Sequence, residues 1–439
     1  MRNLDQIIPL FILLILTQTG CRQSDTTRLS DTEILHQNQY KLTQIIIYDV
    51  FTPPVASRLY AYTSLASYEA IRFSNKGAAS IAEKLNGFGS MPSPEKDKSY
   101  DFALAATKAF FTVARKVKVF SVDSLTDYEN GIYKGYREIL DKETYNSSLA
   151  FGDTVAMAIL KRAYSDGYLQ SRGKPKYLGS DEQGKWRPTP PDYLDGVEWC
   201  WNTMLPFAID SASQFMPSRP PQYSLDKNSF FNKNLEEVYY INKNLTEEQK
   251  EIARYWDDNP FVIEHSGHMM FGNKKITPGG HWMGICAIAS KLSAADEVTT
   301  AKALALTAIA LHDAFIACWD EKYRSSYVRP VTAINESIDK YWMPFLQTPP
   351  FPEYTSGHST ISASAATVLT SLFGRNFAFQ DTSDLRYIGM QRHFNSFNEA
   401  AAEASVSRIY GGIHYRFTAD TSAVQGRRVG EFILKKLEY

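Results

Sequence analysis

Apolar residues recur three and four positions apart along Ala56–Ser74, Asp101–Val119, Ser124–Lys142 and Ser147–Ser165, the spacing that lines them up on one face of a helix. Ser124 followed by Asp127 predicts the start of the third of these, a side-chain cap and then an acid in the first turn. The pattern then breaks. From residue 168 to about 230, Pro175, Pro188, Pro190, Pro191, Pro206, Pro217, Pro220 and Pro221 interrupt any long helix. They predict a long irregular connection, of the kind that covers a site or joins domains. Thr246-Glu247-Glu248-Gln249 fits a capping box. Helical spacing resumes over His281–Val298, Thr299–Trp319, Ser359–Phe373, about Asp384–Tyr410 and Asp420–Leu437. No run alternates long enough for a strand, and no segment repeats. The expectation is an all-α fold of two helical bundles, one in residues 22–230 with the proline-rich connection and one in residues 231–439.

The amino end reads differently. Ile7 to Leu16 is an almost unbroken apolar run, long enough for a signal-peptide core and too short to span a bilayer. Thr19-Gly20-Cys21 closes it like a bacterial lipoprotein cleavage box, although Gln18 stands where an aliphatic residue is usual. Residues 1–21 are therefore expected to direct export, with Cys21 lipidated and facing the periplasm or outer membrane of a bacterium. A plain secretory signal cut nearby is the alternative. Residues 22 to about 35 are polar and read as a flexible tether.

Composition narrows the function classes. In 439 residues the formal net charge is −1, which gives no reason to expect nucleic acid or an acidic membrane face as partner. A lipid anchor would be the sole membrane contact. After Cys21 the chain keeps Cys200, Cys286 and Cys318, which cannot all pair and form no CxxC, so neither a disulfide framework nor a cysteine zinc site is indicated. The helix Ala301–Trp319 comes nearest to a membrane span, but Lys302, His312 and Asp313 interrupt it.

Three short motifs in the second half carry chemistry jointly. The first runs from Lys322 to Arg329-Pro330, just past a long apolar helix. The second is Ser356-Gly357-His358, opening the helix Ser359–Phe373. The third is Ser407-Arg408 with His414 six residues beyond Arg408. Gly357 lets the backbone approach a ligand, and the helix that follows presents unpaired N–H groups and a partial positive charge, an anion site before any side chain is added. Ser356 adds a hydroxyl donor. Arg329 and Arg408 are planar forks suited to a tetrahedral oxyanion, and Lys322 is a point charge. One histidine can bond to the central atom, and the other can move protons near neutral pH. Each motif alone has a bland explanation in a loop or a cap. Ser266-Gly267-His268 repeats the second motif's letters without an apolar helix after it, so His268 is read as structural or as a cleft wall. His281 and His312 are read as structural.

Lys322 to Arg329-Pro330, then Ser356-Gly357-His358, then Ser407-Arg408 to His414 resembles the signature shared by vanadium haloperoxidases and type 2 phosphatidic acid phosphatases. The resemblance covers about Asp313 to His414 and implies a helical fold like that of vanadium chloroperoxidase, with the oxyanion site in the carboxyl-terminal bundle. It implies that Lys322, Arg329, Ser356, Gly357 and Arg408 hold the equatorial oxygens. His414 would be the axial group, as ligand to vanadium or nucleophile on phosphorus, and His358 the acid–base partner. The sequence departs from the phosphatase pattern at Thr355, where Pro is usual, and at Thr418, where an Asp would orient the axial histidine.

The two chemistries share a site because vanadate and phosphate are both tetrahedral oxyanions. The stretch from Asp313 through Trp319 to Lys322, and Phe351-Pro352-Glu353-Tyr354, resemble the chloroperoxidase branch; Val328 replaces a Trp common there. By that resemblance Trp319 and Phe351 line a halide pocket; otherwise they are core aromatics. The favoured reading is a vanadium-dependent haloperoxidase-like enzyme, with vanadate as cofactor and hydrogen peroxide and halide as substrates; Lys322 would polarise the peroxide. The alternative is a periplasmic acid phosphatase that needs no cofactor and cleaves small phosphate esters through a phosphohistidine. A protein that binds an oxyanion without turnover is a third class, and it would need neither histidine.

Overall fold

A computed structural model describes residues 29–117, 119–260, 263–266, 269–272 and 275–439, with 263–266 and 269–272 described as backbone only. The apolar run at 7–16, Cys21 and His268 lie outside the described residues. Helices α1 Asp31–Tyr48, α2 Pro53–Ile71, α3 Phe102–Lys116, α4 Val122–Ile139, α5 Lys142–Ala163 and α6 Tyr168–Arg172 form the amino half. After the connection come α7 Phe230–Lys243 and α8 Glu247–Tyr255, then strands β1 Ile263–Ser266 and β2 Met269–Gly272. The carboxyl half holds α9 Pro278–Leu292, α10 Glu297–Ser325, α11 Pro330–Ser337 and α12 Gly357–Phe373. Strand β3 Phe379–Asp381, α13 Leu385–Ile388, β4 Arg392–Phe394, α14 Phe397–Tyr410 and α15 Arg416–Leu437 complete it.

Local chemistry sets most boundaries. Thr52 caps α2, and Pro53 and Pro54 occupy its first turn, where a missing N–H costs nothing. Asp296 caps α10, which ends at Ser326 in a left-handed conformation. Thr246 and Gln249 form the expected capping box of α8. The expected start of α4 at Ser124 is displaced: Ser121 is its N-cap residue, and the Ser124 hydroxyl instead accepts a hydrogen bond from Lys41. The tether expected to about residue 35 gives way at Ser30, whose hydroxyl caps α1.

Helix α10 is the axis of the molecule. It packs against α2 on one side and against α9, α12 and α15 on the others, so one continuous apolar core joins the amino and carboxyl halves. By length and composition α10 could cross a membrane, but it is almost wholly buried within the protein, which marks it as a core helix. Helix α15 lies against α12 closely enough that a Cβ at Gly426 would fall 2.0 Å from the Thr360 carbonyl oxygen, and one at Gly430 2.8 Å from that of Ser364.

Two antiparallel hairpins, β1–β2 and β3–β4, depart from the expectation of helices alone. Each strand is three or four residues long, too short for alternation to show. The single helix expected over about Asp384–Tyr410 is broken by β4 into α13 and α14, with Ser396 capping the second. Cys200, Cys286 and Cys318 are free and buried.

The proline-rich connection is strapped onto α10. The Asp313 carboxylate, wholly buried, accepts three backbone amides, from Phe207 at 2.7 Å, Ala208 at 2.6 Å and Ile209 at 2.9 Å. Further along, Trp186 N–H donates to the Ser326 carbonyl and Val197 N–H to that of Pro350. The connection therefore walls the region where the three motifs lie.

Candidate active site

The three motifs reach one place from four directions. Lys322 projects from the last turn of α10, Arg329 precedes α11, Ser356-Gly357-His358 opens α12, and Arg408 ends α14. His414 follows on the short link into α15. Gly357, His358, His414, Trp319 and Phe351 line a single cavity of about 30 Å³, on the scale of a small ion.

His414 is fixed by a residue that the sequence motifs did not identify. Its Nδ1 lies 2.8 Å from Glu353 Oε1, which also accepts the Tyr415 backbone N–H at 3.1 Å, while Thr418 Oγ1 donates to Glu353 Oε2 at 2.8 Å. This arrangement assigns the Nδ1–H tautomer and leaves the Nε2 lone pair facing the hollow, where Arg329 Nη1 stands 3.2 Å away. Burial and the surrounding cations hold the His414 pKa well below the ordinary value, so the ring is neutral and able to act as a ligand. The absence of Asp at position 418 therefore does not leave His414 unsupported. The orienting carboxylate comes from upstream, and Thr418 helps hold it. Burial pushes Glu353 up to about 7, against the lowering by Arg329 and its hydrogen-bond donors.

Arg329 is fully buried. Its Nε donates to the Phe351 carbonyl at 2.9 Å and its Nη1 to that of Ile413 at 2.8 Å, while Nη2 has no hydrogen-bond partner among the described residues. A buried guanidinium nitrogen without an acceptor is costly unless a ligand supplies one. Lys322 Nζ donates to the carbonyls of Pro352 at 2.8 Å and Glu353 at 3.1 Å, two bonds from an ammonium that carries three protons. Burial lowers its pKa to about 7, and burial likewise lowers Arg329 and Arg408 to about 10. Glu353 partly offsets the charge of Lys322 and Arg329, as Asp257 and Asp258 do for Arg408, and the cations gathered here favour an anion.

Ser356 caps α12 by accepting from Ser359 N–H and Ser359 Oγ, so its own hydroxyl proton is available to a ligand. A Cβ on Gly357 would meet Trp319 at 3.5 Å, ordinary contact, so the glycine is not required by crowding there. Thr355, where Pro is usual, donates through Oγ1 to Gln425 on α15 at 2.9 Å and so ties the loop down. Arg408 donates to the Trp256 carbonyl and, at 2.9 Å, to Ser407 Oγ. The Trp256 backbone also bonds His358, whose Nε2 has no hydrogen-bond partner among the described residues and lies 3.9 Å from Asp258 Oδ2. Burial and then Arg408 keep His358 well below its ordinary pKa, so its ring is neutral.

Trp319 and Phe351 pack with ring centroids 5.0 Å apart, and Lys322 Nζ lies 4.9 Å from the Phe351 ring centre. Both aromatics are buried in the core and also wall the cavity, so the two readings of them are compatible. His312 bonds Ser57 at 3.2 Å away from the cavity and is structural. Asp313 anchors the connection, and Val328 packs in an apolar cluster with Tyr327 and Tyr354. Asp258 and the Trp256 carbonyl escaped sequence reasoning, because a backbone acceptor leaves no residue signature. A roomier cleft of about 710 Å³ beside α1 and α9 holds none of the motif residues.

Comparison with known proteins follows the same lines. The family model for the VCPO second helical-bundle domain matches residues 302–341 and 335–439. Vanadium chloroperoxidase of Curvularia inaequalis is 26% identical over 170 residues, 27% of this chain; the match spans only 28% of that protein. The crystal structure of the first bacterial vanadium-dependent iodoperoxidase superposes with a TM-score of 0.87 at 44% identity, covering 92% of this chain and 96% of that one. A holo-type bacterial vanadium-dependent chloroperoxidase shares the fold, with a TM-score of 0.69 at 18% identity over 89% of this chain and 93% of its own.

Proposed function

Because this chain belongs to the vanadium-dependent haloperoxidases, we propose that it is an enzyme that oxidises halide with hydrogen peroxide at the hollow around His414, with iodide as its halide. The observation that carries this reading is the neutral His414 aimed by Glu353 into a ring of buried cations, one of which, Arg329, keeps a nitrogen without a partner. The donor set fits vanadate. Lys322, Arg329, Arg408, Ser356 and the first amides of α12 would hold its oxygens, and His414 Nε2 would be a ligand to it. Bound vanadate would supply a Lewis acid that activates peroxide without changing its own oxidation state.

The chain's own groups do the rest. Oxidation of a halide ion by hydrogen peroxide consumes one proton and releases hypohalous acid and water. His358, neutral and with Nε2 unpartnered, takes a proton from peroxide as it enters and returns it to the oxygen that leaves as water. Lys322, which donates to two backbone carbonyls and keeps a third N–H, would favour the developing negative charge there. Phe351 and Trp319 exclude water on one side, so the halide meets the oxidant in a low-dielectric wall. The iodide preference rests on the iodoperoxidase likeness. Export as a lipoprotein is proposed from residues 7–21; a Cys21→Ser variant should leave the membrane fraction, and retention there would reject it.

An acid phosphatase acting through a phosphohistidine would use the same cations, so one experiment separates the two. Protein reconstituted with vanadate is given peroxide and iodide, and a vanadate-free sample is given an aryl phosphate. Vanadate-dependent iodide oxidation is expected; phosphate release without it would reject the peroxidase.

A further inference from the structure

Behind the hollow, His281 of α9 is held at both ring nitrogens. Its Nδ1 lies 3.0 Å from Asp258 Oδ2 and 3.2 Å from Oδ1, and its Nε2 lies 2.9 Å from Asp381 Oδ2. Asp384 Oδ2 stands 3.5 Å from the same Nδ1. These side chains are at most 2% exposed. A ring with a carboxylate at each nitrogen carries a proton on both, since a neutral ring would aim a lone pair at an anion.

The ring also stacks on Trp256, with centroids 4.5 Å apart and planes inclined by 17°. His281 therefore grips residues 256–258 at two points, by its face and by Nδ1. That segment is the one that meets the catalytic groups. The Trp256 carbonyl accepts from Arg408, the Trp256 backbone bonds His358, and Asp258 approaches the unpartnered Nε2 of His358. Asp258 has φ +38°, a left-handed conformation that an aspartate keeps only when its surroundings fix it.

We infer that His281 is a positioning residue for halide oxidation: a doubly held imidazolium that fixes the Trp256–Asp258 segment and, through it, the ring of His358 and the fork of Arg408. The inference rests on the haloperoxidase reading for its effect on turnover, but not for the state of the ring. The charged and titratable groups facing His281 are Asp258 and Tyr255 from α8 and the turn after it, Asp381 from β3, Asp384 before α13, and His358 from α12 beyond Asp258. Burial opposes the positive charge, and the carboxylates at its two nitrogens, Asp258 first and then Asp381, outweigh it. Burial and its hydrogen bond to Asp258 favour a neutral Asp384, so the imidazolium lies between the carboxylates of Asp258 and Asp381.

The test uses Asp381→Asn, which changes the far partner of His281 and no group on the hollow. In enzyme saturated with vanadate kcat should fall about tenfold and its pH profile should shift with iodide KM little changed, and vanadate affinity should weaken as well because Arg408 shares the segment, as expected when an orienting partner is lost. His281→Gln should show the same split more strongly. In vanadate-free protein labelled at the histidine ring nitrogens, both nitrogens of His281 should be protonated at neutral pH, and Asp381→Asn should move the His358 ring resonances. Folded variants with unchanged kcat and pH profile would overturn the inference, as would a neutral His281 or a stoichiometric metal ion bound by Asp258, His281 and Asp384. Should His281→Gln fail to fold, Asp381→Asn decides. Should the wild type oxidise no halide, the peroxidase reading falls and the resonances of the vanadate-free protein decide: unmoved His358 signals overturn the inference, and moved ones support it.

Discussion

Glu353 decides which nitrogen of His414 faces the hollow, and so it governs whether that ring can be a ligand at all. Glu353→Gln keeps the shape but weakens the hold on Nδ1–H, and it should weaken vanadate binding about 10- to 100-fold, the usual cost of losing an orienting partner. Titration of the variant with vanadate measures this. His414→Ala should abolish iodide oxidation outright, and an unchanged rate would reject the site. Lys322 gives the pH dependence. Its buried ammonium has a pKa lowered to about 7, so the positive charge is present below that value and lost as pH rises through it. An oxyanion favours the charged form, so affinity gained from Lys322 should decline with rising pH. The gap in vanadate affinity between wild type and Lys322→Met should accordingly narrow from about pH 6 to about pH 9. At this scale most of the site was legible. Arg329, Ser356, His358, Arg408 and His414 are chemistry-bearing residues at readable spacings; His358 and His414 line the hollow, and Arg329 Nη1 stands 3.2 Å from His414 Nε2. Glu353 was harder to read, because its part comes from folding back onto His414 across 61 positions. The substitution at Thr418 misled for the same reason.

The elements show why these residues converge. The N-terminus of α12 can face the cations of α10 and α14 only because α15 lies hard against α12 at Gly426 and Gly430. A methyl at Gly426 would strike the backbone of α12, which cannot yield as a flexible side chain does. Gly426→Ala should therefore destabilise the fold by about 2 kcal/mol or more, with a matching loss of vanadate affinity; denaturant unfolding checks the first and titration the second. Helix centres were well foreshadowed by apolar spacing, and their ends less so. The start of α4 moved from Ser124 to Ser121, and α10 runs on past Trp319 to Ser325, carrying Lys322 into the site on a rigid turn. The hairpins escaped notice because strands of three or four residues leave no periodic trace. The proline-rich connection was legible as irregular, but its strapping through the Asp313 carboxylate depends on backbone amides, which a sequence does not single out.

For the whole molecule, a formal charge of −1 conceals the polarity that matters: Lys322, Arg329 and Arg408 are all buried about one small cavity, while acids gather behind it around His281. Composition could therefore exclude nucleic acid as an expected partner and still say nothing of this internal separation of charge. Glu353 and Asp258 offset only part of this buried positive charge, and the account requires that a single oxyanion join them in the hollow. A crystal structure of the protein soaked with vanadate tests this most directly. The account predicts one vanadium atom bonded to His414 Nε2, its oxygens held by Lys322, Arg329, Arg408, Ser356 and the amide of Gly357. Vanadate bound elsewhere, with His414 and Arg329 Nη2 left uncontacted, would contradict it.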